Sequence, residues 1–119
     1  MPEAKTYQGS CHCGNVRYEV KTDLQPVISC NCSICSRSGT LLTFVGLSQF
    51  KLLSGEDSLQ EYRFNKHVIQ HLFCKTCGIR SFAAGKSPDG SDMRAINVRC
   101  LEGVDLDSLT ITKFDGKNK

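Results

Sequence analysis

The sequence predicts a mainly β fold with very little helix, and three observations predict it. Short extended segments alternate with turn signals along the chain. No stretch sustains a 3.6-residue apolar period. The eight cysteines gather between the extended segments, where a rigid sheet can hold a metal site at strand ends and loops.

The elements follow in order. Val16, Tyr18 and Val20 alternate with Asn15, Arg17 and Glu19, which predicts a half-buried strand. Leu41 to Val45 is an apolar run and reads as an inner strand. Phe50 to Leu53 is another, ended by Ser54-Gly55-Glu56-Asp57. Residues 59–64 and 67–73 predict a hairpin turning at Asn65-Lys66, because Asn tolerates positive φ. Ile79 to Ala84 predicts a strand. Ser87-Pro88-Asp89-Gly90 has type I turn chemistry, with Pro second and Gly fourth. Ala95 to Leu101 and Leu109 to Phe114 complete the sheets. Helix is confined to single turns at Ser33 to Arg37 and Leu106 to Leu109.

Composition narrows the function. At 119 residues the chain reads as one domain, long enough for a modest core that metal would reinforce rather than replace. The net charge is only +3 and the charged residues, 23 % of the chain, are scattered. That is a poor footprint for duplex nucleic acid, which calls for a concentrated basic stripe. No apolar run is long enough to cross a membrane, and Met1 to Gln8 shows no signal peptide. The expectation is a cytoplasmic protein, where thiols stay reduced and clustered cysteines signal metal. A disulfide scaffold is the competing reading; Cys-x-Cys spacings are too tight to bridge comfortably.

Seven cysteines fall into three clusters that divide as four plus three: Cys11-His12-Cys13-Gly14, Cys30-Asn31-Cys32-Ser33-Ile34-Cys35, and Cys74-Lys75-Thr76-Cys77-Gly78. Four thiolates close a tetrahedral zinc shell, whereas three leave a position for water or substrate. The pairs Cys11/Cys13 and Cys74/Cys77 each end in Gly, which can turn the chain so that backbone N–H groups face the sulfurs. That shared ending assigns them to one structural zinc. Cys30, Cys32 and Cys35 can wrap a second ion alone, among small or polar neighbours that suit an accessible site. The alternatives are a closed second site completed by Cys100 or a distant histidine, and a redox role for Cys74-x-x-Cys77, which lacks the βαβ setting of such motifs.

Other residues have weaker claims. Ile96, Val98 and Cys100 are expected on one buried strand face, with Cys100 acting as a small hydrophobe. Asn97 and Arg99 would alternate opposite them and line a cleft. His67 and His71 are expected to pack beside Ile69 and Phe73, and His12 to point away from metal. Arg37, Arg80, Arg94 and Arg99 could meet an anionic substrate; Arg37 has the best case, two residues past Cys35.

Together, Gly9-Ser10-Cys11-His12-Cys13-Gly14-Asn15-Val16, Cys30-Asn31-Cys32-Ser33-Ile34-Cys35, Phe73-Cys74-Lys75-Thr76-Cys77-Gly78 and Asn97-Val98-Arg99-Cys100-Leu101 resemble the glutathione-dependent formaldehyde-activating enzyme family, a domain shared with centromere protein V. The resemblance runs from about Gly9 to Gly116. It implies a β-tent of short antiparallel sheets with zinc knuckles. It also implies two zinc ions: a structural one on Cys11, Cys13, Cys74 and Cys77, and a catalytic one on Cys30, Cys32 and Cys35. The implied activity joins formaldehyde to glutathione as S-(hydroxymethyl)glutathione, formally a carbon–sulfur lyase reaction. The expected partners are therefore a small thiol and an aldehyde. Arg37, with Arg99 or Lys66, would hold substrate carboxylates, and no general base stands out. The rival expectation is a non-catalytic zinc module that binds protein or nucleic acid; a zinc store is a third.

Overall fold

A computed structural model of the chain describes residues 4–62, 69–86 and 89–115. Ten strands and one short α-helix are found among them. The strands are β1 (Lys5–Ser10), β2 (Arg17–Thr22), β3 (Val27–Cys30), β4 (Leu42–Gly46), β5 (Phe50–Ser54), β6 (Leu59–Tyr62), β7 (Gln70–Cys74), β8 (Phe82–Lys86), β9 (Asp92–Asn97) and β10 (Ile111–Phe114); α1 spans Ser33–Ser38. They form two sheets, β1-β2-β5 and β10-β3-β4-β9-β8-β7-β6. No described helix is long and apolar enough to cross a membrane.

The small sheet is built on the alternation seen in the sequence. Tyr18, Val20 and Thr22 of β2 are buried, while Arg17 and Lys21 face solvent. The buried face meets Val45, Phe82, Ile96 and Leu101 of the large sheet and its flanking loop, with Cys11 and Cys74 in the same cluster. Tyr18, Phe50 and Phe82 pack as a ring triad, with centroids 5.5, 5.4 and 4.8 Å apart, within the range in which aromatic pairs attract beyond their buried area. The Tyr18 hydroxyl donates to the Ser81 carbonyl at 3.4 Å, tying the two sheets together. Above the Tyr18 ring passes Gly9 of β1, where a Cβ would collide with the ring. A second cluster of Val27, Leu41 and Val98 closes the β3 end of the large sheet.

Several elements differ from expectation. β1 was invisible as a pattern because Lys-Thr-Tyr-Gln-Gly-Ser carries almost no apolar side chains; pairing to β2 holds it. β3 is four residues long and was masked by its own cysteine. The segment after Gly78 becomes a strand only at Phe82, since Ile79 serves the preceding turn. β9 ends at Asn97, and Val98–Cys100 is a 3₁₀ turn. The expected alternation therefore fails there, and both Asn97 and Val98 are buried. β10 pairs with β3 in parallel, the one exception among otherwise antiparallel described pairs. The α1 turn matches expectation, and Leu106–Ser108 forms a 3₁₀ turn. β6 and β7 pair antiparallel as the hairpin reading requires; its turn at Asn65-Lys66, with His67, lies outside the described residues, as do Ser87 and Pro88.

Candidate metal centres

The two chain segments that carry Cys11/Cys13 and Cys74/Cys77 make near-identical turns. Cys11 N–H donates to Val16 O at 3.1 Å, and Cys74 N–H donates to Ile79 O at 3.0 Å. Gly14 N–H returns to Cys11 O, and Gly78 N–H to Cys74 O. Both glycines sit at positive φ, 83° and 80°, a region other residues enter only with strain. The turns thereby point all four sulfurs inward, with every pair within 4.8 Å. Cys11 and Cys13 sulfurs are 3.5 Å apart, and Cys13 and Cys74 sulfurs 3.6 Å. A tetrahedral shell with metal–sulfur bonds of about 2.3 Å has edges of about 3.8 Å, so the arrangement fits one ion. All eight cysteines are free thiols.

The electrostatics call for a cation. Burial opposes ionisation of Cys77, but N–H groups of Cys13 and Ile79 outweigh it and bring the thiol down to about 6. The N–H of Asn15 favours the Cys13 thiolate; desolvation and the sulfurs of Cys11, Cys74 and Cys77 nevertheless push that thiol up to about 12. Four crowded sulfurs cannot all ionise unless positive charge enters among them. A metal ion is the group that this donor set suits.

Cys30, Cys32 and Cys35 also converge within 4.8 Å. Cys30 ends β3, Cys32 precedes α1, and Cys35 lies one turn along it, the most buried of the three. The backbone wraps the sulfurs: Cys32 N–H donates to Cys30 Sγ at 3.4 Å. Burial disfavours the Cys32 thiolate, but N–H groups of Cys35 and Ile34 and the neighbouring sulfurs lower its thiol below the ordinary value. Desolvation and the sulfurs of Cys32 and Cys30 push Cys35 up to about 12. Among the described residues no fourth cysteine, histidine or carboxylate joins this group.

Cys100 is not that fourth ligand. Its S–H points to Arg80 O at 3.8 Å, and it accepts from Asn97 Nδ2 at 3.6 Å. His71 is buried against Arg80 and belongs to neither centre. His12 is exposed. Asn97 does not line a cleft: it is buried, with Oδ1 accepting from Arg99 N–H and Nδ2 donating to Arg80 O. Arg37 lies along its own helix, donating to Ser33 O at 2.8 Å, and lines a cavity of about 540 Å³ with Ser33, Ile34, Ser38 and Tyr62. Arg99 is exposed and its Nε donates to Gly39 O at the end of α1. Arg94 lies 6.0 Å from the Phe50 ring centroid, lining a different cavity. Lys66 lies outside the described residues.

Arg80 is the residue whose position the sequence did not reveal. Its Nη2 lies 2.9 Å from His71 Nδ1, its Nη1 donates to Ser38 Oγ at 2.9 Å, and its Nε–H is buried without a partner. Burial lowers its pKa, while the Cys35 and Cys32 thiolates oppose that shift. It is thus a half-buried cation beside the three-cysteine centre. Its only sequence signal was an arginine three residues past a metal-knuckle cysteine.

The protein-family model described as glutathione-dependent formaldehyde-activating enzyme matches residues 6–110 of the chain. A crystal structure of a Rhodobacter sphaeroides protein superposes with a TM-score of 0.76 at 31 % sequence identity, covering 88 % of this chain and 99 % of that one.

Proposed function

Because the chain belongs to the glutathione-dependent formaldehyde-activating enzyme family, we propose that it is a zinc-dependent carbon–sulfur lyase. In this reading it adds formaldehyde or a similar small aldehyde to a small thiol such as glutathione, or removes it. The observation that carries the reading is the three-cysteine centre: three sulfurs converge with no fourth protein ligand among the described residues, the donor count of a catalytic rather than a structural zinc.

Zinc bound there supplies a position at which a thiol is held as thiolate, the nucleophile for an aldehyde carbon. The protein's part is to hold and orient. Cys30, Cys32 and Cys35 fix that position on the junction of β3 and α1. The cavity along α1 gives room for a thiol's tail, with Arg37 at its wall to meet a carboxylate. Cys11, Cys13, Cys74 and Cys77 take the structural zinc, locking the start of the chain onto the end of β7. Thiolate ligands favour zinc over hard cations.

The test combines metal content with turnover. Native protein should carry two zinc ions per chain, and the exchange of ¹³C-formaldehyde with glutathione, followed by NMR, should accelerate with it. One zinc per chain, or two with no acceleration for any small thiol, overturns the lyase reading and leaves a binding module.

A further inference from the structure

The three-cysteine centre has an arginine arranged around it that the sequence reading undervalued. Arg80 follows the second knuckle directly, just past the hydrogen bond from Cys74 N–H to Ile79 O that closes it. Its carbonyl is held by Asn97 Nδ2 at 2.9 Å. Its guanidinium is gripped on one side by His71 and on the other by Ser38. From Ser38 a pair of hydroxyls leads back toward the metal ligands: Ser38 Oγ, three residues past Cys35, lies 3.5 Å from Thr40 Oγ1, and Thr40 favours the Cys35 thiolate. Thr40 and His71 are buried. Arg37 and Arg99, by contrast, are exposed, and each gives one guanidinium donor to a backbone carbonyl of α1 or its cap.

Charge counting gives this arrangement a purpose. Three thiolates around a divalent ion leave a net charge of −1. A neutral fourth ligand keeps that charge, whereas a thiolate doubles it. A fixed positive charge in a partly desolvated place offsets the second case more than the first, because screening there is weak. We infer that Arg80 is the positioning cation of the three-cysteine centre, which biases its fourth position toward an anionic thiolate over a neutral ligand. His71, Ser38 and Asn97 hold it in place. The inference rests on the thiol-handling reading above and names what makes the centre accept that substrate class.

The test uses the full chain loaded with cobalt(II), whose visible bands report the fourth ligand. The probes are 2-mercaptoethanol, which has no carboxylate for any arginine to anchor, and neutral imidazole. Arg80→Gln should weaken 2-mercaptoethanol binding by about tenfold and leave imidazole binding unchanged. Arg80→Lys should restore most of the thiol affinity, and Arg94→Gln, at a different cavity, should not alter it. Equal thiol affinity in Arg80→Gln and wild type overturns the inference alone. So does an equal loss for thiol and imidazole, which would mark a purely structural role. If Arg80→Gln does not fold, the Arg80 Nε–H resonance in ¹⁵N-labelled, zinc-loaded wild type decides: a shift on thiol addition supports the inference, and no shift overturns it. A wild-type centre that takes no thiol overturns the lyase reading and this inference with it.

Discussion

Cys13 Sγ lies 3.6 Å from Cys74 Sγ, although 61 residues separate them in the chain. Between them run strands β2 to β7, α1 and the three-cysteine cluster. A metal bridging these sulfurs therefore closes a loop that holds strands of both sheets, and the order it imposes reaches well beyond the knuckles.

The first expectation follows from that closure. Structural zinc contributes on the order of 10 kcal/mol in small folds, more than the roughly 2–5 kcal/mol of a large-to-small core substitution. Cys77→Ser should cost more stability than Val20→Ala, although Val20 is fully buried and Cys77 is not. Thermal melts of both variants, with and without chelator, check this; equal melting temperatures would refute it.

Cys32→Ser should behave oppositely. Cys32 belongs to neither core cluster, and its centre sits at the β3–α1 junction rather than between the sheets. The variant should keep the native circular dichroism and the four-cysteine metal, lose the second metal, and lose thiol–aldehyde turnover. Full turnover in Cys32→Ser would remove the catalytic assignment.

How much of this was legible in the sequence depends on the range of the contacts. The four-plus-three division was readable because metal ligation imposes short local spacings, and Gly14 and Gly78 marked both turns. The β2 alternation was readable because one face of that strand meets the core. The β3–β10 pairing was not, because parallel strands so far apart in sequence share no turn and β10 is exposed along its length. Asn97 was misplaced because period-2 reasoning continued β9 through a 3₁₀ turn whose cap is Asn97 itself. Arg80 was undervalued because its partners, Ser38 and His71, come from two other elements, and only the folded chain joins them.

Gly9 tests the packing of the small sheet. An added Cβ would meet the Tyr18 ring, and Tyr18 is fully buried against Phe50 and Phe82, so neither partner has room to yield. Gly9→Ala should destabilise by about 1–3 kcal/mol, the usual cost of overpacking. Gly46→Ala is the control, because its Cβ would meet only Gln49 Oε1 at an ordinary 3.8 Å. Denaturant midpoints of the two variants should differ accordingly.

The last strand should matter to the three-cysteine centre more than to the core. All four side chains of β10 are exposed, yet its ladder runs along β3 to Cys30. Beyond it, Asn31 N–H donates to Phe114 O at 3.2 Å and Asn31 Nδ2 to Asp115 Oδ1 at 2.9 Å. Those bonds fix the residue between Cys30 and Cys32. Ending the chain at Thr110 should weaken metal retention at this centre by about 10–100-fold, the range seen when supporting hydrogen bonds are lost. The four-cysteine metal should stay bound. Competition with a graded chelator reads both affinities in one titration.

His71 sets a pH dependence whose direction follows from its surroundings. Burial and then the neighbouring Arg80 cation lower its pKa below the ordinary value. The unfolded chain therefore takes up a proton at His71 before the folded protein does, and stability must fall as pH drops from about 6.5 toward the folded-state value. Acid also releases metal from thiolates, so the wild-type slope alone does not isolate the histidine. His71→Gln shares the metal-dependent part and lacks the histidine's. Denaturant midpoints of zinc-loaded wild type should fall more steeply than those of His71→Gln between about pH 7.5 and 5.5. Arg80→Gln should flatten the wild-type slope as well, because removing the cation lets His71 accept its proton nearer the ordinary pH. Parallel slopes in all three proteins would show that the imidazole and guanidinium do not interact in solution as their 2.9 Å separation requires.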